Sequence, residues 1–165
     1  MFKSIFLPLI GVAVFIIVVG LLSQGKLDFI LKSVSPNLKT NQKVVKVNGV
    51  EINVEVAKSN EERAKGLSNR SSLDEKSGMV FIFPKDSKPV FWMKDTKIPL
   101  DIIWIFDNKI IGIEKNVQTE IDKKDDELKK YAAPSTSNYV LEVNAGFSDK
   151  YDIKVDQTIS GLEQL

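Results

Sequence analysis

Cysteine and histidine are both absent from this chain of 165 residues, and arginine nearly so: the 23 basic residues are 21 lysines, Arg63 and Arg70. Without thiols no disulfide can form. Zinc, iron–sulfur and haem centres that need thiolate or imidazole ligands are excluded, as are His-based triads. Acid–base chemistry, if there is any, falls to carboxylates, Lys, Tyr and hydroxyls. No P-loop or dinucleotide glycine pattern occurs, and the one Ser-x-x-Lys, Ser23 to Lys26, stands apart from the globular part. The acidic stretch Asp122-Lys123-Lys124-Asp125-Asp126-Glu127 lacks the Gly and closing Glu of a calcium loop and reads as a solvated surface. Neither a metal nor a cofactor is expected.

One long apolar run is present. Residues Ile5 to Leu22 carry no charge over 18 positions, and a helix there is ~27 Å long at about 1.5 Å per residue, against a hydrocarbon core of ~30 Å. A buried core helix of that length would show a polar stripe, and this run has none. The expectation is an uncleaved membrane anchor over residues 1–25. A signal peptide cut after Gly25 is the competing reading, with Ser23-Gln24-Gly25 supplying small residues near the cut. No Cys follows, so a lipid-modified anchor is excluded. Orientation pulls two ways. Lys26, Lys32, Lys39 and Lys43 outweigh Lys3 and favour a cytoplasmic bulk, whereas so short a flank before an apolar run suits a signal anchor. The expectation is a single-pass membrane protein with its bulk on the extracytoplasmic side.

Beyond residue 25 the 22 cations and 22 anions cancel, and such a balance speaks against a nucleic-acid partner. Residues 26–43, with Ser35-Pro36, read as a tether, and 44–165 as one globular domain. Val45 and Val47, the turn pair Asn48-Gly49, then Ile52, Val54 and Val56 form a hairpin pattern. Ser59-Asn60-Glu61-Glu62 is a capping box opening a short helix that Gly66 closes. Strands are predicted over Gly78–Phe83, Val90–Met93, Asp101–Phe106, Lys109–Glu114, Tyr139–Val143 and Val155–Ile159, and residues 116–137 as a charged loop. The fold class is therefore mainly β with minor α: a compact antiparallel sheet curled into a small barrel or sandwich, with one or two short helices.

Two arginines among so many lysines mark positions that need a planar donor fork. Each reads either as a clamp on a carboxylate or backbone carbonyls, or as half of an anion site. In Phe91-Trp92-Met93-Lys94-Asp95-Thr96-Lys97-Ile98-Pro99-Leu100-Asp101-Ile102, strand alternation puts Phe91 and Met93 on one side and Trp92 on the other. Asp101 and Glu142 sit inside apolar strands and need partners, with Arg63, Arg70 or Lys94 as candidates for Asp101.

These residues carry a resemblance. Arg63-x-x-Gly66-Leu67-x-x-Arg70, Gly78-Met79-Val80-Phe81, the block from Phe91 to Ile102, and Tyr139-Val140-Leu141-Glu142 resemble domain-of-unknown-function family 192 over roughly residues 45–160. The resemblance implies a compact β-rich domain, often behind a signal peptide or anchor, and no established activity. Three departures from the family's usual pattern stand out: Asp95 for Asn, Ser68 for Met, and Asp156-Gln157 for Gly-Asp.

Two functions follow as expectations. The first is a membrane-held binding module for an anionic small molecule or envelope glycan, using Arg63, Arg70, Trp92, Lys94, Thr96, Asp101 and Glu142. The second is a carboxylate hydrolase in which Asp101 and Glu142 face each other across a cleft. A third reading makes Arg63, Arg70, Asp101 and Glu142 one buried ionic network that only fixes the fold.

Overall fold

The structure, a computed structural model, describes residues 43–165. The expected anchor, and all but the last residue of the expected tether, lie outside the described residues. Among those described, no helix is long and apolar enough to cross a membrane.

The chain opens with β1 (Lys43–Val47) and β2 (Val50–Ala57), paired antiparallel around Asn48 and Gly49. Both turn residues have positive φ, 48° and 81°, as a two-residue type I′ hairpin needs. Ser59 then caps α1 (Asn60–Lys65): its hydroxyl accepts from the Glu62 N–H, and the Glu62 carboxylate accepts from the Ser59 N–H. Next come β3 (Ser77–Ile82), β4 (Val90–Phe91), β5 (Leu100–Phe106), β6 (Lys109–Val117), β7 (Tyr131–Ala132), β8 (Tyr139–Asn144), α2 (Phe147–Lys150) and β9 (Ile159–Ser160).

Seven strands form one curled sheet in the order β6-β5-β8-β3-β2-β1-β9, and β4 pairs with β7 in a separate ribbon. The sheet is a half-barrel whose end strands are tied together. The Ile110 N–H donates to the Gln157 carbonyl, and the Ile159 N–H to that of Asn108, while β9 pairs with β1. The expectation of an antiparallel sheet needs one correction: β2 and β3 run parallel. Residues 58–76, with α1 among them, carry the chain back to the starting end, the kind of long crossover that a parallel pair requires.

The central strands β3, β5 and β8 are buried on both faces, which is why they read as continuous apolar runs. Val80, Leu141, Val143, Ile103 and Ile105 face the inside of the curl, together with Val45, Val47, Ile52 and Val54. Met79, Phe81, Val140, Ile102 and Trp104 face outwards, beneath a second layer formed by Leu67, Phe91, Met93, Tyr131 and Ala133. Residues 116–137 are thus not only a solvated loop. Leu128, Tyr131 and Ala133 are buried, and β7 clips the loop to β4.

Gly78 sits where β3 and β8 press closest. A Cβ there would stand 2.5 Å from the Glu142 carbonyl oxygen and 3.0 Å from a Val143 methyl. Backbone cannot yield as a flexible side chain can, so Gly78→Ala is expected to cost about 2–3 kcal/mol of stability, read as a lowered urea midpoint with unchanged slope.

Candidate functional site

Asp101 and Glu142 occupy adjacent strands, but the register separates them. Asp101 pairs with Val143, and Ile102 with Glu142, so the two carboxyls leave opposite faces of the sheet. This overturns the hydrolase expectation, because no cleft can lie between groups with a sheet between them.

Asp101 points to the inner face, fully buried. Its partners are backbone amides, not the cations expected. Oδ1 accepts from the N–H of Asn116 at 2.8 Å and of Gly146 at 3.1 Å, and Oδ2 from that of Ser148 at 2.8 Å. A bulge supplies the first donor: Leu100 pairs with Val117 and Ile102 with Glu114, leaving Lys115 and Asn116 opposite Asp101 alone. Asn116 bends at φ 56° and Gly146 at φ 80°, turning their amides toward the carboxylate. Asp101 therefore joins β6 to the start of α2.

The two arginines are clamps of the kind read as one alternative above. Arg70 and Glu55 form a bidentate pair at 2.5 and 2.7 Å, which holds the Glu55 carboxyl below its ordinary range chiefly through that hydrogen bond. Arg63 donates through Nη1 to the carbonyls of Lys58 and Ile82 and through Nη2 to Asn60, and it lies 5.0 Å from the centre of the Phe83 ring. It ties α1 to the ends of β2 and β3. Among the described residues, Arg63, Arg70, Asp101 and Glu142 form no shared network; each has a different environment.

The outer layer holds a pocket of about 230 Å³ between the end of α1, the outer face of β3 and the segment 90–96. Of the seven candidate residues, Arg63, Trp92, Lys94, Thr96 and Glu142 line it; Arg70 and Asp101 do not. Sequence reasoning missed Lys65, Phe81 and Phe91, which complete its wall. Alternation held through the short strand. Phe91 and Met93 are buried, while Val90 and Trp92 are 56% and 43% exposed. The strand itself stops at Phe91 rather than Met93, because a turn follows in which the Thr96 N–H donates to the Met93 carbonyl and Asp95 takes φ 54°. Asp and Asn both tolerate that left-handed conformation, so Asp95 fills the family's usual Asn position without a change of turn. Ser68, the second departure, donates its hydroxyl to the Lys94 carbonyl at 3.2 Å. At the third, Asp156 adopts φ 74°, a conformation Gly adopts freely.

The mouth of the pocket is cationic. Lys94 is engaged with Asp125, which raises its pKa through their hydrogen bond. Lys130 stands 3.3 Å from the centre of the Trp92 ring. Lys65 is exposed, with no ion pair among the described residues. Glu142 forms the floor. It is only 5% exposed, flanked by Met79 and Ile102 on the neighbouring strands, and its carboxyl has no hydrogen-bond or ionic partner among the described residues. Burial pushes it up to about 8, so it carries a proton at neutral pH. A buried carboxyl open to a pocket, with no partner among the described residues, is a chemically distinctive feature of the domain.

No curated protein matches the sequence. Solved crystal structures share the fold, two of them as follows. One is of a protein of unknown function from Novosphingobium aromaticivorans, 30% identical, with a TM-score of 0.65 over 71% of this chain and 83% of that one. The other is of a protein from Sinorhizobium meliloti described as a "putative transcription regulator", 26% identical, with a TM-score of 0.66 over 73% and 93%. Residues 43–161 match the family model DUF192, described as an uncharacterized ACR, and the chain belongs to that family.

Proposed function

We propose that the domain is a binding module for a small anionic molecule, held at a membrane by residues 5–22 with the domain on the extracytoplasmic side. The observation that carries the binding role is the Glu142 carboxyl, buried at the floor of a pocket and without a partner among the described residues. Leaving such a group without a partner lowers stability, and a ligand that bonds to it removes that loss.

The mouth favours an anion over a sugar. Arg63, Lys65 and Lys94 bring positive charge to the entrance, whereas the Trp92 ring on which a sugar would stack already carries Lys130. At about 230 Å³ the pocket is smaller than the ~300–1,000 Å³ usual for drug-sized ligands, so it suits a metabolite of few atoms. The uncharged run of 18 residues supports the anchor.

The test uses the full-length chain in detergent micelles, melted in the presence of small carboxylates and phosphates. At least one should raise the melting temperature, and Lys65→Ala should abolish that rise; no response across the panel would remove the binding role. Sedimentation with the membrane fraction, and digestion of the domain by protease added outside intact cells, are the outcomes expected for its location. Recovery in the soluble fraction would refute the anchor.

A further inference from the structure

We infer that the pocket is built for a small zwitterion, its ammonium group entering first to meet Glu142 and its anionic group remaining at the mouth with Lys65. The inference rests on the binding role proposed above and specifies the ligand class.

The pocket is polarised along its depth. Its one acid is the most deeply placed ionisable group, whereas Lys65 is exposed at the entrance and Arg63 and Lys94 are partly so. Leu67, Phe81 and Phe91 supply apolar lining. No titratable side chain comes close to Glu142 from the strands beside it: Met79 faces it from β3 and Ile102 from β5. The other ionisable groups of the pocket are Arg63, Lys65 and Lys94, and desolvation alone accounts for the state of Glu142. The cations and the acid are therefore separate poles and not a pair.

The four side chains differ in what they have left to offer. Arg63 has spent its fork on two carbonyls and Asn60, and Lys94 is tied to Asp125. Lys65 and Glu142 have no such partners among the described residues, and they stand at opposite depths. A simple anion satisfies Lys65 and accepts one hydrogen bond from the neutral Glu142 carboxyl, but it brings no positive charge to the floor. A simple cation satisfies Glu142 but must pass a positive mouth. A molecule with an ammonium at one end and a carboxylate or phosphate at the other meets both free groups.

Proton balance gives a signature. The ligand arrives as the ammonium form, the neutral carboxyl of Glu142 becomes a carboxylate in the ion pair, and its proton passes to solvent. With the carboxyl at about 8 in the empty pocket, binding at pH 7 releases roughly one proton.

The experiment is calorimetric titration of the full-length chain in detergent micelles at pH 7, in two buffers of different ionisation enthalpy. The probes are β-alanine, γ-aminobutyrate, ε-aminocaproate and phosphoethanolamine, with butyrate, inorganic phosphate and butylamine as single-ended controls. At least one zwitterion should bind tenfold or more tightly than every control and release close to one proton. Glu142→Gln should weaken that zwitterion at least tenfold and abolish proton release. Carboxylate and phosphate arms tell which anionic end the mouth prefers. If the single-ended anions bind as well as the zwitterions, or Glu142→Gln changes nothing, the zwitterion inference falls and the binding module stands. If no probe binds and no anion stabilises the chain, both fall.

Discussion

Glu142→Gln is expected to stabilise the protein, and by more as the pH rises. A Glu carboxyl titrates near 4.5 when the chain is unfolded and at about 8 in the folded domain. Between those values the native state holds a proton that the unfolded state has released, so stability from this group falls with increasing pH. Its contribution is intact below 4.5, declines through the window from 4.5 to 8, and stays lost above it. Over 3.5 pH units, at about 1.4 kcal/mol per unit, the difference is on the order of 4–5 kcal/mol. Gln has nearly the same shape and no charge to desolvate. Thermal melts of wild type and variant should nearly coincide at pH 4.5 and separate by ~10 °C or more at pH 9. Parallel curves at all pH values would show that Glu142 meets water or a partner when folded. A stabilising substitution in the wall of a pocket also has a functional meaning, since groups retained against stability belong to sites that use them.

The second large effect is expected at the other carboxylate, with opposite sign. Asp101→Ala leaves the amides of Asn116, Gly146 and Ser148 without their acceptor in a fully buried place. Each unmatched donor costs about 1–3 kcal/mol, so the loss is roughly 4 kcal/mol or more, a large share of the 5–15 kcal/mol typical of a whole domain. Asp101→Asn should recover only part of it, because its amide group turns a donor toward donors. Urea unfolding gives the magnitude. Hydrogen exchange gives the mechanism: in a variant that still folds, the three named amides should lose protection first. A loss under 1 kcal/mol would mean that the bulge and the start of α2 hold without the carboxylate. The two carboxylates that stood out in apolar strands as a candidate catalytic pair thus differ in kind, one a structural acceptor and the other an unfilled group in a pocket.

What was legible in the sequence was local. Asn48-Gly49 and the Ser59–Glu62 box act within four residues, through φ preferences and side chains that reach their own backbone, and both appear as read. Burial of Phe91 and Met93 beside exposed Trp92 follows from the period of a strand. The parallel β2–β3 pairing was not legible, because a crossover and a hairpin chain leave the same alternation in each strand. Nor was the separation of Asp101 from Glu142, which depends on cross-strand register between segments about 40 residues apart. The partners of Asp101 were hidden for a further reason. Backbone amides carry no residue signature, and two of the three become available only through the bulge at Asn116 and the bend at Gly146. α2 spans four residues, too few to show a period. The pocket was half legible: its tryptophan, lysine and acid stand out by type, whereas Phe81 and Phe91 look like ordinary core until the outer layer is seen to stop short of Glu142.

The account rests on a neutral, unpartnered carboxyl at the floor of that pocket. The direct measurement is a carbon-13 titration of the Glu142 side-chain carboxyl by NMR, with Glu142→Gln to assign the signal. A midpoint near 8 is expected, moving down by two units or more when a zwitterion is bound. A midpoint near 4.5 in the free protein would contradict it.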